Sequence, residues 1–328
     1  MEMASKALYN SLRISVLQDP GIVADDWQIE DYRMLPLEGL FRRLEDHEIF
    51  LDRASFMAYA DEHDSPEELL AALISEDQAD TEESDRIYLL IFEIWRKLVP
   101  EKQSVSLICD ELDYQIFLFD EERLERREPL EDALAAFYST LVENLDSGLS
   151  EKEIFLAISE YCAHDLPSFL YDYISDLLDQ REHSFASELL EQFYPFVPDK
   201  LWFDFLCARI VGINNTRQAS QRIRMIIQET QRSSYLALNF EILTYLSHGI
   251  DIELFREVAH LILLQVESEE DLQDLFSTTA DFFESYGDKN GQKQIGELLA
   301  NRKDKSLDGS LVDADPDIEA FKKVLQIT

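Results

Sequence analysis

The chain has 328 residues, 46% of them hydrophobic, with only nine Gly and nine Pro, enough apolar surface for a core and too few turn-formers for a loop-rich all-β protein. Its formal charge of -39 is spread over both halves: residues 1–150 carry 13 basic against 36 acidic side chains, and residues 151–328 carry 16 against 32. Such a surface repels nucleic-acid phosphates and anionic membranes, keeps the chain soluble and draws in basic partners.

Residues 3–17 have amphipathic helical spacing, and Pro20, Gly21 and Pro36 then break the pattern. A helix resumes near Leu37 with Leu40, Phe41 and Leu44 on one side, and another near Ile49 with Phe50, Ala54, Met57 and Ala58. Ser65-Pro66-Glu67-Glu68 is a helix start: the Ser65 hydroxyl can accept from the Glu68 amide, and Pro66 suits the first turn. After the acidic break at 75–85, residues 86–98 carry Ile87, Leu90, Ile91, Ile94, Trp95 and Leu98, an apolar face wide enough for burial. Residues 104–119 carry two patterns. Val105, Leu107 and Cys109 alternate as in a strand, whereas Leu112, Ile116 and Phe119 repeat as in a helix; helix is chosen because its neighbours are helical. Glu128-Pro129 opens the next helix.

From Gly148 onward the chain has a rhythm. Glycines 148, 212, 249 and 287 each follow a helical stretch, dividing the chain into units 148–182, 183–215, 216–249 and 250–287. Each unit reads as helix, turn, helix, with helices at 184–194 and 199–211, 216–231 and 233–247, and 251–266 and 268–286. Ser150, Asp199, Asp251 and Ser268 are the expected caps. A helix at 291–302 would close the stack, residues 301–317 read as a solvated acidic linker, and 318–328 as a short amphipathic helix.

Paired helices at this period resemble the tetratricopeptide and HEAT-like class of α-solenoid, over about 140 residues and by period alone, since the tetratricopeptide signature residues are absent from every unit. The resemblance implies stacked helical hairpins that present a long surface to a protein partner. The expected architecture is all-α: an acidic N-terminal helical region (1–147), an irregular hairpin array (148–303), then a linker and short C-terminal helix (304–328).

Cys109, Cys162 and Cys207 lie far apart without a CxxC, as free thiols in a reducing compartment do. The N-terminus lacks the apolar run of a secretory signal, and no stretch approaches the roughly 20 apolar residues of a membrane span, so the expected location is cytoplasmic. Candidate chemistry is sparse. Glu160 and His164 have metal-ligand spacing for one helix but no partner motif, and Asp313-Ala-Asp315-Pro-Asp317 lacks the Gly and Glu that close a calcium loop. Phe119–Glu125 loosely mimics the aspartate-rich helix of class I terpenoid synthases, without their second metal motif; its simpler reading is the exposed face of a charged helix. No G-x-S-x-G, P-loop or dinucleotide fingerprint occurs.

One local departure stands out. Residues 201–250 hold five Arg and three acids, the one 50-residue block with positive charge. On the 216–231 helix Arg217, Gln221, Arg224 and Gln228 share one face, opposite Ala219, Ile223, Ile226 and Ile227. Either these arginines pair with acids on adjacent helices, or they form a strip that engages carboxylates on a partner. The expected function is a non-enzymatic interaction protein (adaptor, chaperone or regulator) that needs no cofactor or metal. The alternative is an all-α magnesium-dependent enzyme of the terpenoid-synthase type.

Overall fold

The computed structural model describes residues 5–74, 81–231, 235–248, 251–309, 311 and 315–327. Among these, eighteen α-helices and two short 3-10 turns account for the regular structure, with no strand. The helices are α1 (Ser5–Gln18), α2 (Asp26–Ile29), α3 (Leu37–Asp46), α4 (Arg53–Glu62), α5 (Pro66–Leu73), α6 (Thr81–Leu98), α7 (Val105–Asp120), α8 (Glu128–Glu143) and α9 (Glu151–Ser159). They continue as α10 (Leu166–Asp179), α11 (His183–Phe193), α12 (Lys200–Gly212), α13 (Thr216–Thr230), α14 (Leu236–Leu246), α15 (Ile252–Leu263), α16 (Glu269–Tyr286), α17 (Lys289–Arg302) and α18 (Pro316–Leu325). The chain forms two compact units, one of residues 1–173 with 191–198 and one of residues 174–190 with 199–328.

The first unit is built around α6. Every residue from Ile87 to Trp95 is buried, with α3, α4 and α5 packed against it through Leu40, Leu44, Phe56, Leu69 and Leu70. The Trp95 indole N–H donates to the Lys102 carbonyl at 3.0 Å, which satisfies the polar edge of a ring with no exposed surface. The segment at 104–119 is helical, as chosen. Its strand-like alternation arises because α7 is buried on more than one side: Asp110 and Asp113 lie inside along with Leu107, Cys109, Leu112 and Ile116.

In the second unit sequential helices pack as hairpins. The predicted caps form: Asp199, Asp251 and Ser268 each accept from a backbone N–H in the first turn of α12, α15 and α16. In the first unit Ser65 and Ser150 do the same for α5 and α9. The closest pairs are α12 with α13, α14 with α15, and α16 with α17, so hairpin packing holds in this unit, with its phase moved by one helix from the glycine-bounded units. Gly212 and Gly287 lie within the α12–α13 and α16–α17 hairpins instead of between units. Gly287 (φ 78°) is the left-handed residue that turns α16 into α17, and a Cβ on Gly212 would run into the Tyr245 hydroxyl of α14 and lie 3.3 Å from the Ala219 Cβ of α13. Gly249 falls outside the described residues.

The linker expectation is corrected for the described residues of 301–317. Arg302 is fully buried, and its guanidinium reaches Glu269 (2.7 and 2.5 Å), Asp315 (2.7 Å) and Asp317 (3.2 Å). The segment after it pairs with the start of α16, through Glu269 N to Gly309 O and Glu270 N to Leu307 O. Phe321 of α18 stacks on Phe276 at 4.6 Å, and both are buried. Low apolar content read as solvated chain because the acids here are spent on one buried arginine. Asp313 lies outside the described residues.

Candidate functional site

The strip on α13 is laid out as the helical spacing requires. Ala219, Ser220, Ile223, Ile226, Ile227 and Thr230 are buried, while Arg217, Gln221 and Gln228 are exposed. Arg224, at the edge of the exposed arc, points to α15: its guanidinium lies 3.2 Å from Glu257 and 3.4 Å from Asp251. Asp251 also caps α15, and although burial alone would raise its pKa, the bond from the Leu254 amide, the Ser220 hydroxyl and Arg224 together bring it below the usual carboxylate range. The four strip residues therefore divide. Arg224 makes the intramolecular ion pairs of the first reading; Arg217 makes none among the described residues. The exposed arc continues through Met225, 66% exposed, to Arg222, which also lacks an ion pair among the described residues. Met225 and Arg222 were not singled out from the sequence, although their spacing from Gln221 and Gln228 places them on the same exposed arc.

A second feature is a cleft of about 400 Å³ within the second unit, lined by α10, α11, α12 and α14. Arg209, whose side chain is 10% exposed, is the one Arg or Lys on its lining among the described residues. Arg209 donates to the Ser175 hydroxyl (2.6 Å) and to Asp179 (2.6 Å), and lies over the Tyr245 ring at 5.9 Å. Tyr245 in turn meets buried Phe205 edge-on at 5.8 Å, and burial raises its phenol pKa against the lowering effect of Arg209. The sequence showed Arg209 only as one of five arginines; the neighbours that make it a site come from three other helices.

Two of the buried polar clusters in the first unit centre on acids of α7. Asp110 accepts from Arg33 (2.7 Å), Arg96 and Asn10, with Glu111 bridging the same two arginines at 2.8 and 3.1 Å. This cluster fastens α1, the 3-10 turn at Tyr32–Met34 and α6 to α7. Asp113 accepts from the amides of Ala163 (2.7 Å) and His164 (3.1 Å) and contacts His164 Nδ1 (2.8 Å). Burial raises its pKa despite those bonds. Glu160 and His164 thus do not share a helix: α9 ends at Ser159, and the loop after it is pinned by Asp113. The Cys162 thiol is hydrogen-bonded to Cys109, and that bond, then burial, holds it well above the ordinary thiol range.

The acids of Phe119–Glu125 do not form a helical face. α7 stops at Asp120, and Glu122 turns the chain with φ 53°. Among the described residues no group of three or more His, Cys, Asp or Glu is placed to hold a metal ion, and no helix is long and apolar enough to cross a membrane. Compared with protein-family models, curated proteins and solved structures, the chain matches none.

Proposed function

We propose that the protein is a non-enzymatic interaction module, of the α-solenoid type suggested by its helical period, that docks an acidic segment of a protein partner on the outer face of α13. The observation that carries this reading is Arg217 and Arg222, exposed and without ion pairs among the described residues on a chain of net charge -39. Gln221 and Gln228 add hydrogen-bonding side chains between them, and Met225 adds an exposed apolar contact. A cationic face without internal partners among the described residues selects carboxylates. Arg224, held by Glu257 and Asp251, orients the edge of the strip.

The test is capture of partners from cytosol by wild type and by Arg217→Glu/Arg222→Glu, with thermal unfolding of both proteins measured in parallel. The double variant should unfold within about 1 °C of wild type, since unpaired exposed charges contribute little stability, and should lose the partner. Retained capture by a well-folded variant would refute the α13 face as the docking surface.

A further inference from the structure

The cleft around Arg209 has features that the α13 face does not use. Arg209 commits two N–H groups, to Ser175 and Asp179, and its others have no acceptor among the described residues. The side chains of His183, Thr244, Tyr245 and His248 also line the cleft, and none makes a hydrogen bond or ion pair among the described residues. A nearly buried guanidinium and four further polar side chains, every one able to donate a hydrogen bond, thus border one concave space of about 400 Å³. The same lining carries two carboxylates, Asp179 and Glu241.

The acidic partner of Arg209 among the described residues is weakly held. Asp179 is 69% exposed and accepts one bond; a pair so open to water contributes little and exchanges readily. A guanidinium fork matches carboxylate and phosphate geometry, and an incoming oxyanion can take over from Asp179 while gaining the unused donors. Glu241, on the same lining, opposes anions, so affinity for a bare ion is modest.

We propose that this cleft binds a compact oxyanion, a phosphate monoester or carboxylate group, with Arg209 as its main contact and Asp179 as an intramolecular placeholder. The volume exceeds that of the anion, which leaves room for the small molecule or peptide side chain that bears it. This site is independent of the α13 face.

The experiment is isothermal titration calorimetry of the full chain with inorganic phosphate, acetate and a phosphoserine tripeptide, each against sodium chloride at matched ionic strength. Wild type should bind at least one of the three saturably, in roughly the millimolar range, where chloride gives no signal. Asp179→Asn should tighten binding about fivefold or more, because the competing carboxylate is gone. Arg209→Gln should weaken it at least about tenfold, and Tyr245→Phe a few-fold. The exposed Asp179→Asn variant keeps the fold, so its gain stands even if Arg209→Gln perturbs packing. A tripeptide that binds tighter than phosphate identifies the source as a peptide side chain; equal affinities identify a free anion. No saturable binding to wild type or to Asp179→Asn, or unchanged affinity in Asp179→Asn, overturns the proposal.

Discussion

Replacing Arg302 by Met should be among the most damaging single changes in the second unit. The Arg302 side chain is 1% exposed, and the carboxylates of Glu269 and Asp315 that it holds are each 5% exposed. Methionine preserves much of the volume but leaves two buried anions with only the half-exposed Lys305 ammonium, 3.9 Å from Glu269 and 3.3 Å from Asp315, beside them. Breaking a buried pair in this way costs roughly 3–5 kcal/mol, most of it the cost of the stranded charge. Unfolding entropy is about 2.1 cal/mol/K per residue, so for a unit of roughly 150 residues the loss corresponds to a fall in Tm of about 10–16 °C. Differential scanning calorimetry measures it directly. The mechanism has its own signature: Glu269→Gln added to Arg302→Met should restore part of the loss, because it removes one stranded charge.

The pH dependence follows from the same geometry. Burial alone would raise the pKa of Glu269 and Asp315, but Arg302 first, with Gln273 and Lys305 at Glu269 and the Asp317 amide and Lys305 at Asp315, outweighs it and holds both below the usual carboxylate range. Their contribution is therefore full above the unfolded carboxylate pKa of about 4 and is lost as pH falls through the folded values. Wild type should lose stability below about pH 4 more steeply than Arg302→Met. A fall of less than 3 °C in the variant, with an unchanged acid limb, would refute the reasoning.

Three further outcomes are expected. Truncation after Arg302 should destabilise the second unit at least as much as Arg302→Met: it removes Asp315 and bares Phe276, and burial of a side chain such as Phe321 or Leu325 stabilises by roughly 1.5–3 kcal/mol each; a silent truncation by calorimetry would contradict the docked tail. Gly291→Ala should cost about 1–3 kcal/mol in urea unfolding, because its Cβ would fall 2.6 Å from the ring of Phe283, which is only 6% exposed. Asp113→Ala should cost roughly 2–3 kcal/mol and speed amide exchange at Ala163 and His164, whose N–H groups lose their acceptor; unchanged protection there would show that the loop does not depend on Asp113.

Helix identity, caps and the buried faces of α6 and α13 were all legible in the linear chain, because they depend on residues three and four apart. Ser150, Asp199, Asp251 and Ser268 cap the helices they precede, and Ile223, Ile226 and Ile227 lie inside while Arg217 and Gln221 lie outside. Partner choice across helices was not legible. Asp315 lies 13 positions from Arg302 and Glu269 lies 33, so a buried clasp looked like solvated linker. Asp113 reaches a loop 50 positions away, and Arg209 meets Asp179 across 30. The phase of the hairpins was likewise a matter of which helices pack together. Local spacing determines which side of a helix is apolar; which charges lie opposite one another depends on how the helices pack, and a buried ion pair carries no periodic signature to reveal it beforehand.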